Sequence, residues 1–247
     1  MTSTSETGHA KNVANFEDLI SFCTGYGATY NPSKNAIKLA QLNALLTSAK
    51  SSLNIVNTSL NPFNNAVNAR EIAFAPLSKL VTRVINALDA TDATPQVVKD
   101  SKTIARKLQG RRATVKIATI TDNPLTSENE AQKSISASQM SFDSRIENLS
   151  KLIILLTNEP LYAPNENDLK VVALNTLLNQ LKITNTAVIN VTTPISNARL
   201  NRNKILYLAT TGLYDIQLEV KKYVKSLYGA TSSEYKQISG IKFTKTK

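Results

Sequence analysis

Apolar side chains recur along the chain at helical spacing. From Leu39 they fall at Leu42, Leu46, Ala49, Leu53, Val56 and Leu60, alternately three and four residues apart. That is the seam of packed helices. Asn31-Pro32 stands just ahead of it, and proline suits a first helical turn because the N–H it lacks has no partner there. The spacing predicts a long helix from this point to Asn61-Pro62, where proline either starts a new helix or kinks the old one. A further apolar set, Leu77, Leu80, Val84 and Leu88, predicts the next helix. A short helix precedes both and ends at the turn Gly25-Tyr26-Gly27. Strand patterns are few. Residues 111–120 and 238–247 alternate polar and apolar side chains and read as short extended tails.

The same order returns in the second half of the chain. Tyr30–Arg70 and Tyr162–Arg202 align without a gap and agree at 14 of 41 positions, among them Tyr30/Tyr162, Pro32/Pro164, Pro62/Pro194 and Arg70/Arg202. The second seam runs through Val171, Leu174, Leu178, Leu181, Asn185, Val188 and Thr192. The following helix carries Ile205, Ala209, Leu213, Ile216, Val220, Tyr223 and Leu227. Upstream, Asn15, Leu19, Ile20 and Thr24 face Asn148, Leu152, Ile153 and Thr157; downstream, Leu108-x-Gly110 faces Ile238-x-Gly240. The expectation is an all-α fold, an elongated helical bundle of two tandem repeats. Each repeat has one short and two long helices and ends in a short extended basic tail. Each long helix would span about 42–50 Å at the helical rise per residue. The segments are a polar N-terminal tail at 1–10, repeat one at 11–122, a linker at 123–134 rich in turn residues, and repeat two at 135–247.

Charge adds a second pattern. The 247 residues carry 29 Lys and Arg against 18 Asp and Glu, a formal charge of +11. Residues 99–116 hold seven cations against Asp100, and residues 221–247 hold seven against Glu234, so each stretch is +6 and the excess sits at corresponding ends. The candidate interaction residues are Arg106, Lys107, Arg111, Arg112 and Lys116 in the first, and Lys236, Lys242, Lys245 and Lys247 in the second. Such ends can bind a polyanion, nucleic acid or anionic membrane, with counterion release. They can equally dock on an acidic surface of a second copy, or stay solvated. The first stretch has no aromatic residue, which gives a base-stacking platform little support.

Catalytic chemistry has little to work with. There is one Cys, Cys23, and one His, His9, too few for an internal disulfide or a typical zinc site. Cys23 lies among Leu19, Ile20 and Phe22 and reads as a small core residue. His9 falls in the polar tail. Glu17-Asp18 reads as an acidic pair near a helix start. Tyr30 and Tyr162, beside the proline turns, are expected to lock the start of each long helix. No catalytic residue, cofactor, metal or small-molecule substrate is expected. MTSTSETGHAKN lacks the charged start and apolar run of a secretory leader, and no run of about 20 apolar residues spans a membrane. The cytoplasm is the expected compartment, with assembly on an extracellular surface left open.

The closing pattern Lys236-Gln-Ile-x-Gly-Ile-Lys-Phe and the stretch Arg106-Lys-Leu-Gln-Gly-Arg-Arg resemble those of uncharacterised bacterial all-helical proteins with an internal duplication. That resemblance implies an all-α fold and carries no function. In outline the paired long helices are also similar to those of α-helical pore-forming toxins, but this chain lacks the apolar hairpin that such proteins insert. The function expected from the sequence is structural and non-enzymatic. The chain would be a subunit of a filament, tube or lattice, a homo-oligomer held by helix faces and basic tails; polyanion binding is the alternative.

Overall fold

The computed structural model, which describes residues 8–111 and 140–245, is helical along the apolar runs, with ends that differ from the expected ones. In chain order the helices are α1 (His9–Gly25), α2 (Leu39–Phe74), α3 (Leu77–Asp89), α4 (Pro95–Gln109), α5 (Phe142–Thr157), α6 (Val171–Tyr207), α7 (Leu213–Tyr228) and α8 (Ser233–Ser239), with short 3-10 turns at Gly27–Thr29 and Asn35–Ile37. Every regular element among the described residues is helical. Among those residues no helix is long and apolar enough to cross a membrane.

Four expectations are corrected. First, α2 begins at Leu39 and α6 at Val171, seven residues after Pro32 and Pro164. Extended backbone at Lys34 and Lys38 leads into α2 instead. That stretch brings the carbonyl of Ile37 to the Tyr30 hydroxyl, which donates to it at 2.7 Å; Tyr162 does the same to Leu169 at 2.9 Å. Second, of the two alternatives at Pro62 and Pro194 a new helix start is ruled out, since both lie inside continuous helices. Each proline frees the carbonyl four residues earlier, on Thr58 and Asn190, and both of those residues are exposed, so water can take the lost hydrogen bond. Third, the helices break further on. Ala75-Pro76 separates α2 from α3, and Leu208–Gly212 separates α6 from α7. A β-carbon on Gly212 would lie 2.6 Å from the backbone nitrogen of Leu208, and Thr210 carries a positive φ of 68°, so this turn is tight. Fourth, each half contributes a helix that the periodicity missed. Thr94-Pro95 starts α4 and a left-handed Gly110 ends it; Ser232 starts α8, its hydroxyl accepting the Tyr235 N–H. No strand forms at 241–245, and 112–120 lie outside the described residues.

Two compact units divide the chain, and each draws on both halves of the sequence. Unit 1 comprises residues 1–64 and 190–247. Its core joins Phe16, Leu19 and Cys23 of α1, Leu42 and Leu46 of α2, Leu206 of α6, Ile216 and Val220 of α7, and Ile238 of α8. Unit 2 comprises residues 65–189. Its core joins Phe74 of α2, Val81 and Leu88 of α3, Val98 and Leu108 of α4, Leu149, Leu152 and Leu156 of α5, and Leu174 and Leu178 of α6. Each such leucine contributes roughly 1.5–3 kcal/mol by leaving water.

Candidate anion-binding cleft

Helix α4 has two stripes. Val98, Ser101, Ala105 and Leu108 recur at three and four residues and are buried. Ser101 is tolerated there because its hydroxyl donates to the carbonyl of Val98 at 2.7 Å. Beside this stripe run Lys99, Lys102 and Arg106, again at three and four residues. They line a cleft of about 690 Å³ with Thr82, Ile85, Asn86 and Asp89 of α3. Arg111, just past the end of α4, closes the set. Four cations and one carboxylate therefore face the same space.

The polar groups are held in part by one another. Lys102 pairs with Asp89 at 2.9 Å, both side chains about half exposed, so this bridge adds little stability and mainly neutralises one cation. A guanidinium N–H of Arg106 donates to Thr103 at 3.0 Å. The Gln109 amide donates to the Ser78 carbonyl at 3.0 Å and to the Thr82 hydroxyl at 2.8 Å, tying the end of α4 to α3. The floor is aliphatic, from Ile85, Val98, Ala105, Ala93 and Pro95.

Of the residues singled out from sequence, Arg106 and Arg111 reach this cleft. Lys107 is half-buried on another flank of α4, and Arg112, Lys116 and Lys247 lie outside the described residues. The second basic stretch belongs to unit 1 and has a different setting. Lys236, Lys242 and Lys245 are exposed. The backbone beneath them is tied to α1: the Asn12 side chain donates to the Thr244 carbonyl at 2.7 Å and accepts from the Thr244 N–H at 3.0 Å. Asn15 donates to the Lys242 carbonyl at 2.6 Å, and the Lys221 ammonium donates to that of Ile241. Burial holds the Lys221 ammonium below the ordinary lysine range. Lys245 sits 5.6 Å from the centre of the Tyr214 ring.

The remaining candidates take structural places. Cys23 is fully buried, and burial pushes its thiol up to about 12, which suppresses the reactive thiolate. Glu17 lies in the middle of α1, where it pairs with Lys50 at 2.6 Å. His9 is not in a free tail: it opens α1 and shares a 2.8 Å hydrogen bond with the Tyr207 hydroxyl. The aliphatic floor of the cleft could not be read without α4; its one local signal was Thr94-Pro95 followed by Gly110.

No family model, curated protein or solved structure matches the chain.

Proposed function

We propose that this is a non-enzymatic helical binding protein that carries one helical motif twice and takes an anionic partner in the α3–α4 cleft. One observation carries the reading: Lys99, Lys102, Arg106 and Arg111 converge on a single concave space whose lining includes one carboxylate, Asp89. Converging cations in a walled cleft raise the local concentration of an anion and hold it more strongly than scattered surface charges would. The two-motif part draws support from matched bonds, Tyr30 to Ile37 and Tyr162 to Leu169, in which donor and acceptor keep the same spacing along the chain. Calorimetric titration at low salt tests the reading with inorganic phosphate, a heparin fragment and dodecyl phosphate. At least one of these should bind the native chain tenfold or more tightly than a Lys102→Ala/Arg106→Ala/Arg111→Ala variant. If no anion distinguishes the two proteins, the reading fails.

Self-association into a filament, tube or lattice is a second reading, favoured by a separate observation. Helix α6 exposes Val172 and Ile183, eleven residues apart and so on one stripe, at 78% and 63%. Sedimentation across a wide concentration range tests it. Self-association should appear and should weaken in Val172→Asp/Ile183→Asp; a monodisperse monomer at high concentration overturns it.

A further inference from the structure

We infer that a cleft beside His9 in unit 1 binds a small aliphatic carboxylate, its head between His9 and Arg202 and its body against Leu53 and Val56. This cleft shares no residue with the α3–α4 cleft, so the inference stands apart from the anion-binding reading above.

Matching places in the two halves of the sequence supply the first reason. In unit 2, Arg70 donates to the Asn185 side-chain oxygen at 3.1 Å, and the Asn185 amide donates to the Asp143 carboxylate at 2.7 Å. That relay gives the guanidinium a carboxylate at one remove. The places that match Arg70, Asn185 and Asp143 hold Arg202, Leu53 and Ala10. The arginine is kept, and both groups of its relay are gone. A cleft of about 370 Å³ is lined by these three residues, at the small end of the range for ligand sites. A bound carboxylate would supply there the group that Asp143 supplies in unit 2.

The charge of the cleft points the same way. Its lining joins His9 and Lys11 of α1 to Arg202 of α6, and holds no carboxylate among the described residues. Arg202 donates to the side chain of Asn203 at 2.9 and 3.1 Å, a neutral partner that leaves its charge unbalanced. Burial holds this guanidinium below its ordinary range. The Nδ1 of His9 is engaged by the Tyr207 hydroxyl at 2.8 Å, and Nε2 has no hydrogen-bond partner among the described residues. An N–H at Nε2 is a donor for a carboxylate oxygen. Leu53 and Val56 are both partly exposed, so a short aliphatic body removes their surface from water.

Binding and protonation of His9 are therefore linked. The groups near the ring are Lys11 on α1, Arg202 and the Tyr207 hydroxyl on α6, and the neutral Leu53, Val56 and Asn57 on α2. Residues 241–245, held to Asn12, send Lys245 to the Tyr214 ring. The charged groups in this set are cations, so a bound carboxylate favours the imidazolium, and the imidazolium favours the carboxylate equally.

His9 is the one histidine of the chain, so its Hε1 resonance reports on this cleft. Butyrate, titrated into the intact chain at constant ionic strength, should move that resonance saturably and raise the His9 pKa, while butyramide should do neither. Binding should be tighter at about pH 5.5 than at about pH 7.5. Arg202→Gln should weaken butyrate by about tenfold or more, with circular dichroism matching the native chain. Ala10→Asp places a carboxylate where unit 2 has one; it should raise the His9 pKa without ligand and remove the response to butyrate. An unchanged His9 pKa in concentrated butyrate overturns the proposal. So do equal responses to butyrate and butyramide, or equal affinity for butyrate in the native chain and Arg202→Gln. Inorganic phosphate binding more tightly than butyrate also overturns it, because the cleft would then be a phosphate site.

Discussion

Helix α1 in unit 1 and helix α5 in unit 2 meet their neighbours through side chains at matching places in the sequence, with different chemistry. In unit 2, Phe142 and Phe74 meet edge to face with centres 4.8 Å apart, the Arg70 guanidinium lies 3.9 Å over the Phe142 ring, and Arg145 donates to the Phe74 carbonyl at 3.2 Å. A polar link continues from Arg70 to Asn185 at 3.1 Å and from Asn185 to Asp143 at 2.7 Å. In unit 1 His9, Arg202 and Asn12 stand at the places of Phe142, Arg70 and Arg145, and Tyr207 lies one residue past Leu206, which faces Phe74 in the alignment. His9 and Tyr207 share a hydrogen bond, Asn12 donates to the same hydroxyl at 3.1 Å, and Asn12 then reaches Thr244. Ala10 and Leu53 stand where unit 2 has Asp143 and Asn185, and a cleft of about 370 Å³ opens there, lined also by His9 and Arg202. The two clusters thus use different chemistry, an aromatic–guanidinium stack in unit 2 and a relay of hydrogen bonds in unit 1. The polar version is the one that also holds the backbone of Lys242 and Thr244.

The largest losses are expected from the apolar side chains beneath these clusters. Phe16 and Leu149 hold matching places on α1 and α5, and both are fully buried. Phe16→Ala should cost about 3–5 kcal/mol and Leu149→Ala about 2–5 kcal/mol, read from urea unfolding at unchanged slope. A cost below about 1 kcal/mol at either site would mean that helix does not anchor its unit.

These apolar anchors were legible in sequence, because helical spacing is set by local geometry. The seam residues Leu42, Leu46 and Ala49, and Leu174, Leu178 and Leu181, are all buried. Tyr30 and Tyr162 were legible as a matched pair because they fall in register beside matched prolines. Helix ends were not. Pro62 reads as a helix start or a kink, and which it is depends on whether the carbonyl of Thr58 faces solvent, which is a property of the folded chain. The cleft was legible as charge and not as shape: Arg106 and Arg111 stand out by composition, whereas Ile85 and Val98 become a floor only once α3 and α4 pack together. The Asn12–Thr244 clamp joins residues 232 apart, beyond any periodicity. Its trace in sequence is two asparagines, Asn12 and Asn15, on an otherwise apolar face.

A sharper test takes a feature the two units share. Tyr30→Phe and Tyr162→Phe each remove one hydroxyl and leave a buried carbonyl, Ile37 or Leu169, without its donor. Each should cost about 1–3 kcal/mol, since an orphaned buried acceptor loses its solvation as well as its bond. Burial already pushes the Tyr162 hydroxyl up to about 12 and the Tyr30 hydroxyl further in the same direction. Losses of similar size would sharpen the correspondence; a loss at one site alone would break it.

The clamp tests what the units do not share. Asn12→Ala removes both bonds to Thr244 and should cost about 1–2 kcal/mol. It should also speed hydrogen exchange at the Thr244 amide, the local sign that 241–245 has come away from α1. Arg145→Ala, at the matching place in unit 2, should leave Thr244 exchange unchanged. If both variants, or neither, release Thr244, the clamp is not specific to unit 1.

The smallest effect isolates the histidine. Burial, and secondarily the nearby Arg202 charge, hold the His9 imidazole below its ordinary value of 6.5. As pH falls through 6.5 the unfolded chain takes up this proton before the folded chain does. Protonation therefore favours unfolding, and stability drops between 6.5 and the lower folded value, whereas above that window His9 has no effect. Since the chain has one histidine, His9→Phe, which installs the side chain unit 2 has at Phe142, should flatten the dependence of Tm on pH between about 7.5 and 5.5. Carboxylates with ordinary values titrate lower and would keep their own slope below about pH 5. An unchanged slope across that range in His9→Phe would mean the imidazole is not coupled to folding. A flattened slope with unchanged Thr244 exchange would separate the proton from the clamp, although His9 and Asn12 share the Tyr207 hydroxyl.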